Sequence, residues 1–255
     1  MSNKKEREKR REERLQQEAR AETGDRRTKL LQFGAGAVFL VIVAVVVLIV
    51  ASSGGSSGGD AQNLKEVAAV DSLVNGVPQD GMVIGDPSAK VELMEYGDLQ
   101  CPVCKAYSEE ILPQVIENKV KSGKARIVFH NFTIIGEQSL PAGAATLAAG
   151  EQGRGWNYLE LFYRNQGEEN SGYATDEFLE AVAKAAGVKN VAQWNKERKS
   201  KALTSEVEAT TAQAERYGFT GTPSFAIKGP STNGVELLGT VSTPEEFEEA
   251  IEEAS

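Results

Sequence analysis

The alternation of apolar and polar positions divides the chain into two unequal parts. Residues 33–51 form an apolar run without a charged or strongly polar side chain. A helix of that length spans about 29 Å, which matches the core of a bilayer. Basic residues precede the run, and a Ser/Gly stretch without cations follows it at residues 52–59. We therefore predict a transmembrane helix over residues 30–51, with residues 1–29 as a cytoplasmic tail and the remainder outside the membrane.

A cleaved signal peptide is the alternative interpretation of the same segment. Small residues at positions 51–53 could be cut by a signal peptidase. The apolar run, however, exceeds the roughly 7–15 apolar residues that are usual in such a signal. The basic segment before it is also long. These features favour an uncleaved anchor.

The pattern after residue 77 is typical of a mixed α/β domain. Residues 52–77 are predicted to be a flexible Ser/Gly linker followed by an arm, in which residues 63–74 are either a short helix or an extended segment. Within residues 78–255, apolar residues alternate or cluster as in strands at 90–96, 125–132, 224–227 and 235–238. Helices are predicted over residues 102–122, through an insert at about 136–217, and after a capping box at 243–246. The order predicts one sheet, interrupted in sequence by a helical insert.

The predicted helix over residues 102–122 has two further features. An apolar stripe is predicted to include Val103, Tyr107, Ile111 and Val115. Pro113 lies inside the helix and lacks a backbone N–H, so it predicts a kink.

Composition and charge distribution indicate on which side of a membrane each part of the chain lies. The chain has 255 residues, of which 40% are hydrophobic and 25% charged, which excludes collagen-like, mucin-like and wholly disordered classes. The net charge of −9 is unevenly distributed. Residues 1–29 carry 11 Lys and Arg against 7 Asp and Glu, while the remainder carries 17 against 30. The split fits the two sides of a membrane, and the interleaved glutamates of the tail argue against a nucleic-acid partner.

Two cysteines, Cys101 and Cys104, carry the candidate chemistry. With His130 as the one histidine, they exclude a disulfide scaffold and most zinc sites. The Cys-Pro-Val-Cys motif lies where a strand meets a helix, so both cysteines share one helix face. Backbone N–H groups and the helix dipole favour a thiolate at the first cysteine, and Pro102 fits the first helical turn. A structural disulfide and half of a zinc site remain alternatives, although so small a loop would add little stability.

The surrounding residues carry a family resemblance. The stretch at residues 91–113, VELMEYGDLQCPVCKAYSEEILP, and the later Gly-Thr-Pro-Ser at residues 221–224 resemble the DsbA-like thiol–disulfide oxidoreductases. The resemblance covers roughly residues 78–254 and is strongest to membrane-anchored members from Gram-positive bacteria. It implies a thioredoxin-like fold with an inserted helical domain, preceded here by the single N-terminal transmembrane helix.

The resemblance also implies roles for individual residues. Cys101 matches the cysteine that forms a mixed disulfide with the substrate, and Cys104 matches the buried resolving cysteine. Pro223 matches a cis-proline that faces the cysteine pair, although from sequence alone an ordinary trans proline would be favoured. Thr222 would pair through its backbone with an extended substrate, and Pro102 with Val103 would complete the substrate-binding surface.

Glu95 and Val103 bear on the reactivity of the pair. The resemblance implies that Glu95 is an acid under the active site, able to accept or return the proton of Cys104. From the residues alone, an exposed strand glutamate is an equal alternative. The strongest oxidants of the family carry His where this chain has Val103, which can neither donate a hydrogen bond nor carry charge. We therefore expect a less depressed pKa for Cys101 and a milder oxidant.

Other candidate residues are expected to be structural. His130 lies at a strand end and is expected to pack there rather than to catalyse. Asp98 is expected to cap or order the loop before the motif. The aromatic residues Trp156, Tyr158, Phe162 and Tyr163 are expected to line the core or a groove.

The sequence thus predicts a membrane-anchored, extracytoplasmic enzyme that forms disulfides in exported proteins. Reduced exported proteins or peptides would be its substrates, and a DsbB-like or vitamin-K-epoxide-reductase-like membrane protein would reoxidise it. No organic cofactor and no metal is expected. A disulfide reductase or isomerase of the same fold, and a non-enzymatic peptide-binding chaperone module, are the alternatives.

Overall fold

A six-stranded sheet forms the centre of the domain. The computed structural model describes residues 63–239 and 241–255, so the predicted tail, the predicted membrane helix at 30–51 and the Ser/Gly stretch lie outside the described residues. Within the described ranges, no helix is both long and apolar enough to cross a membrane. The strands are β1 (Gln79–Asp80), β2 (Val83–Ile84), β3 (Val91–Gly97), β4 (Ala125–Asn131), β5 (Ser224–Lys228) and β6 (Glu236–Leu237).

The strand order is β1-β2-β4-β3-β5-β6. Strands β3 and β4 are parallel, and all other neighbours are antiparallel. β3 therefore lies at the centre, with a hydrogen-bonded neighbour on each side. The four predicted strand segments are confirmed, the last of them as the two-residue strand β6. β1 and β2 were not predicted.

Helices cover the sheet and form the insert between β4 and β5. They are α1 (Val67–Val74), α2 (Pro102–Ala106), α3 (Leu112–Val115), α4 (Ser139–Gly150), α5 (Gly155–Arg164), α6 (Asp176–Ala185), α7 (Val191–Glu197), α8 (Lys201–Arg216) and α9 (Pro244–Glu253). The predicted capping box of the last helix is confirmed, with Thr243 and Glu246 bonding reciprocally. α7 was not predicted as a separate helix. The mixed α/β fold with a helical insert is confirmed.

The helix that begins at the cysteine motif contains two wide turns. α2 continues directly into π-helical turns at Tyr107–Ile111 and Ile116–Val120, with α3 between them. We call these four segments the CPVC helix. Pro113 lies in the first turn of α3, immediately after the first π-helical turn. Such turns are a common cause of helix bending, and the kink at Pro113 stays a prediction.

The predicted apolar stripe of the CPVC helix lies against the core. Val115 is buried, and Val103, Tyr107 and Ile111 are partly buried and pack against the core. The fully buried residues of this helix also include Cys104, Ser108, Leu112 and Ile116. A polar serine would not be selected by an apolar pattern. The sequence therefore predicted the apolar stripe but not the buried Ser108 beside it.

Helix α5 forms the centre of the insert and of the main core. Trp156, Tyr158, Phe162 and Tyr163 each expose 1% or less of their surface, which confirms that these aromatic residues line the core. On the opposite side of the sheet, His130 stacks on Tyr96 with 4.7 Å between ring centroids. Burial lowers the pKa of His130, so its neutral ring is favoured and its predicted packing role is confirmed.

The arm that precedes the domain is hydrogen-bonded through Lys65 to Asn165, at the end of α5. The backbone N–H of Lys65 donates to Asn165 Oδ1 at 2.7 Å, and Asn165 Nδ2 donates to the Lys65 carbonyl at 3.1 Å. Val70 and Val74 of α1 are buried in the core. The folded unit therefore includes part of the segment that was expected to be a linker and arm, and it brings Glu66 next to Arg164.

Candidate active site

The two cysteines lie at the start of the CPVC helix, at the end of the central strand. Cys101 is the N-cap residue, and its Sγ accepts the backbone N–H of Cys104 at 3.4 Å. Pro102 occupies the first helical position, where its missing N–H costs no hydrogen bond. Cys101 is 4% exposed, Cys104 is fully buried, and both are free thiols. The local sequence thus presents one sulfur near the surface and keeps the other inside.

The two thiols differ strongly in acidity. Hydrogen bonding from the Cys104 side chain, supported by Thr222 and by the backbone N–H groups of Cys104 and Val103, lowers the pKa of Cys101 to about 7 against the cost of burial. Burial raises the pKa of Cys104 well above its usual value, and hydrogen bonding with Cys101 and the charges of Cys101 and Glu95 act in the same direction. Near neutral pH, these shifts favour the thiolate of Cys101 and the protonated thiol of Cys104.

The Thr222–Pro223 segment faces the cysteine pair across the site. Ser224 pairs with Tyr96 in the sheet, so the residues before β5 reach the end of β3, where the CPVC helix begins. The Thr222–Pro223 peptide bond is cis, as the resemblance implied. The Cys101 thiol donates to the Thr222 carbonyl oxygen at 3.3 Å. Pro102 is exposed and Val103 is partly exposed, so both can be reached from solvent.

Glu95 lies inside the protein under the cysteines. In the sheet it sits between Phe129 of β4 and Phe225 of β5, and no part of it is exposed. Neither carboxyl oxygen has a hydrogen-bond partner within the part of the chain that the structure describes. Desolvation raises its pKa to about 8, and the charges of Glu160 and Cys101 add to the rise. The alternative of an exposed strand glutamate is therefore wrong.

A second buried acid, Glu160 of α5, was missed by the sequence analysis. It is fully buried, accepts a hydrogen bond from Ser108 Oγ at 3.0 Å and forms an ion pair with Arg164. The spacing of Glu160 and Arg164 by four residues is a helical ion-pair signal, but in sequence it looks like an exposed surface pair. Only the packing of α5 against the CPVC helix reveals that the pair is internal.

Asp98 orders the loop between β3 and the motif. Its Oδ1 accepts the backbone N–H of Gln100 at 2.9 Å, and its Oδ2 accepts those of Ile134 and Ile135 at 2.8 and 2.9 Å. The side chain is fully buried, and its oxygens are satisfied by the backbone. The expectation of a loop-ordering role for Asp98 is confirmed.

Gln166 also holds the motif in place and was not predicted. Its Nε2 donates to the carbonyl oxygens of Leu99 and Cys101 at 2.6 and 3.1 Å, and it is buried. It lies just beyond α5, some 65 residues from Cys101 in sequence. No local pattern distinguishes it from any other glutamine at a helix end.

Two surface pockets, of about 620 and 390 Å³, lie elsewhere on the domain, and neither is lined by the cysteines or by Glu95. Across residues 63–239 and 241–255, no group of three or more His, Cys, Asp or Glu side chains is arranged to hold a metal ion. The chemistry of the described site is therefore that of its two thiols and the acids below them.

Known proteins share this fold. The sequence model of the family described as Thioredoxin matches residues 78–253. A probable disulfide bond formation protein D from Bacillus cereus is 29% identical over 153 residues, covering 59% of this chain and 71% of the relative. The crystal structure of oxidised BdbD from Bacillus subtilis superposes with a TM-score of 0.61 at 21% identity, covering 71% of this chain and 97% of that one. Wolbachia pipientis α-DsbA1 gives 0.58 at 20% identity, with coverages of 72% and 95%.

Fold, site and relatives together define a thiol–disulfide oxidoreductase. The chain belongs to the thioredoxin family, since the family model covers well over half of its length. The resemblance to DsbA-like proteins that the motif residues indicated is confirmed by these relatives and structural neighbours.

Proposed function

We propose that this oxidoreductase is anchored in the membrane and forms disulfide bonds in proteins outside it, through Cys101 and Cys104. The observation that carries the proposal is the unequal pair. Cys101 is 4% exposed and has a pKa of about 7, whereas Cys104 is fully buried and its pKa is raised. A thiolate that is stable at neutral pH is a good leaving group, so a disulfide that contains it is readily passed to a substrate.

The first step is attack by a substrate thiolate on Cys101 Sγ of the oxidised enzyme. A bond forms between the substrate sulfur and Cys101, the Cys101–Cys104 bond breaks, and Cys104 leaves with the electron pair. Protonated Glu95 supplies a proton to the Cys104 thiolate, which becomes a thiol. Burial favours the protonated form of Glu95 before this transfer and the neutral thiol of Cys104 after it.

The second step releases the oxidised substrate. A second substrate thiolate attacks the substrate sulfur of the mixed disulfide, and Cys101 leaves as a thiolate with the bonding electrons. The substrate has lost two electrons and the enzyme has gained them. Thr222, Pro102 and Val103 border the sulfur that is attacked, and we assign the substrate peptide to that surface.

Reoxidation requires a partner that accepts the two electrons. Cys101 thiolate attacks a disulfide of the partner, Glu95 takes the proton of Cys104, and the Cys104 thiolate then displaces the partner sulfur from Cys101. We propose a DsbB-like or vitamin-K-epoxide-reductase-like membrane protein for this role. An anchor at residues 30–51, a cytoplasmic tail at 1–29 and a tether at 52–77 would hold the catalytic domain, residues 78–255, beside such a partner.

The direction of the reaction is tested by the resting redox state of the full chain in its native membrane. Thiol trapping should find Cys101 and Cys104 mostly oxidised, and the membranes should oxidise a reduced client. Cys101→Ser should abolish client oxidation, while Cys104→Ser should accumulate mixed disulfides on Cys101. A mostly reduced resting pair would assign the protein as a reductase or isomerase instead. Normal client folding with Cys101→Ser would favour the chaperone alternative.

The proposed location of the catalytic domain outside the membrane is tested separately. Protease added to intact cells should remove the domain beyond residue 62 and leave the tail protected. A protected domain would contradict the proposed topology.

A further inference from the structure

Three buried carboxyl oxygens lie unpartnered beneath the cysteine pair. They are both oxygens of Glu95 and Oε1 of Glu160, for none of which the described residues supply a hydrogen bond. We propose that Glu160 is a positioning residue: held charged by Arg164 and Ser108, it keeps the proton on Glu95 that Glu95 exchanges with Cys104. This assignment rests on the redox role of the cysteines, although not on the direction in which they work.

The surroundings of Glu160 favour its ionised form. Its Oε2 accepts Ser108 Oγ at 3.0 Å and forms an ion pair with the guanidinium of Arg164. Arg164 exposes only 6% of its side chain, and arginine does not lose its proton in proteins. Glu95 has no such counter-charge. If one proton is available to the two carboxyls, it therefore resides on Glu95.

Desolvation raises the pKa of both carboxyls, but only Glu160 has partners that lower its pKa. Burial raises the pKa of Glu160, while Arg164 and Ser108 lower it in part. The pKa of Glu95 rises to about 8 through burial first and the charge of Glu160 second. Two carboxylates in a dry site cannot easily ionise together, so the charge on Glu160 holds the proton on Glu95.

Asp98 shows the contrasting case of a buried carboxylate with a structural task. It is as fully buried as Glu95 and Glu160, yet both of its oxygens accept backbone N–H groups. A carboxylate that only orders a loop is satisfied in this way. The unpartnered oxygens of the Glu95 and Glu160 pair instead resemble a site kept free for a mobile proton.

A line of charges leads from this pair to the surface of the arm. Arg164 Nε lies 3.2 Å from Glu66 Oε2, whose side chain is 57% exposed. Glu66 comes directly after Lys65, whose backbone N–H and carbonyl oxygen are both hydrogen-bonded to the side chain of Asn165. The docked arm thus covers the outer side of Arg164 and keeps its guanidinium directed at Glu160.

Several other titratable groups face Glu95 and Glu160 and can affect the pH at which these carboxyls titrate. Those whose charges interact with Glu95 come from the CPVC helix and from α5: Cys101, Cys104, Tyr107, Tyr163 and Glu160. Arg164 and Glu109 act in turn on Glu160. Burial raises the pKa of both tyrosines, so they stay protonated between pH 5 and 9. The cysteines, Glu95, Glu160 and Glu109, whose pKa burial also raises, are left as the groups that titrate.

The test is a ¹³C NMR titration of glutamate-labelled full chain in detergent, with the cysteine pair reduced. Glu160→Gln keeps the shape of the side chain and removes its charge. We expect the midpoint of Glu95 to fall by about one pH unit, a tenfold change in its acid dissociation constant. Asp176→Asn is the matched control, because it removes the acid that pairs with another buried arginine, Arg198, at 2.8 Å. It should leave the Glu95 midpoint unchanged.

A second readout is the equilibrium constant with glutathione between pH 5 and 9. Its pH dependence should shift with Glu160→Gln but should not shift further when Glu160→Gln is added to Glu95→Gln. If Glu160→Gln fails to fold because Arg164 is left unpaired, the double variant with Arg164→Gln removes both charges and should still lower the Glu95 midpoint. An unchanged midpoint in whichever of these variants folds, or equal effects of Glu160→Gln with and without Glu95, would overturn the proposal.

Neither readout involves a client protein. If the proposed disulfide-forming function is wrong, client oxidation fails while the Glu95 midpoint still moves. If the role of Glu160 is wrong, client oxidation persists and the midpoint stays in place.

Discussion

The Cys101 thiol donates a hydrogen bond to the carbonyl oxygen of Thr222 at 3.3 Å, although 121 residues separate the two in sequence. The contact exists because β5 pairs with the central strand β3, which ends just before the cysteine motif. This hydrogen bond connects the part of the domain before the helical insert with the part after it. The connection is made at the sulfur of Cys101. Its chemical consequence is that the more accessible thiol is held in a defined position.

Alkylation of the reduced protein should therefore be selective and strongly pH-dependent. Iodoacetamide should modify Cys101 with a midpoint near pH 7, because only the thiolate reacts and the pKa of Cys101 is about 7. Cys104 is fully buried and its pKa is raised, so it should remain unmodified below pH 9. Mass spectrometry of quenched samples measures both rates. Comparable modification of the two cysteines at pH 7 would contradict the proposed asymmetry.

Val103→His should make the protein a stronger oxidant. The pKa of Cys101, about 7, is close to that of thioredoxin and well above the value of about 3.5 for the strongest oxidants of the class. An imidazolium beside the sulfur would stabilise the thiolate and lower this pKa.

Thiolate absorbance against pH measures the change in Val103→His. Each unit by which the midpoint falls should move the glutathione equilibrium by up to about tenfold toward the reduced enzyme. Val103→Gln is the control, because it adds polarity without a charge. An equal effect of both substitutions would show that charge is not the cause.

Glu95→Gln should change the dependence of stability on pH. The pKa of Glu95 is raised to about 8 in the folded protein, so between pH 4.5 and 8 the folded state binds a proton that the unfolded state has lost. This contribution to stability is present at low pH and declines as the pH rises. From pH 5 to 7, the reduced parent protein should lose about 2 kcal/mol relative to Glu95→Gln. Urea unfolding at each pH measures the difference, and parallel curves would refute the raised pKa.

Gln166→Leu should loosen the cysteine motif. Two buried carbonyl oxygens, those of Leu99 and Cys101, would lose their donor, at a cost of about 1–3 kcal/mol. Urea unfolding measures the loss, and the alkylation rate of Cys101 should change with it. Gln114→Leu removes an exposed amide from the CPVC helix and should alter neither quantity. Equal stability of the two variants would show that Gln166 does not hold the motif.

The sequence identified the reactive residues but not their environment. The cysteine spacing, Pro102 and the strand before the motif are local features, so they predicted the start of the helix correctly and indicated Cys101 as the candidate nucleophile. The apolar stripe of the CPVC helix was predicted, but the buried Ser108 beside it was not, because an apolar pattern does not select a polar residue. Glu160 and Gln166 were missed for a related reason: both lie on or beside α5, and their importance comes from what α5 packs against.

The sequence by itself determined the cysteine pair, the central strand and helix, and the family to which they belong, because each depends on residues close together along the chain. Only the tertiary structure decided that Glu95 lies buried between two phenylalanines and that Glu160 lies with it under the thiols. It also decided that Thr222 reaches Cys101. These relations depend on strand pairing and on the docking of the insert. The acidity of a thiol or a carboxyl is set by the solvent it loses and the charges it meets, and both are fixed only when distant segments pack together.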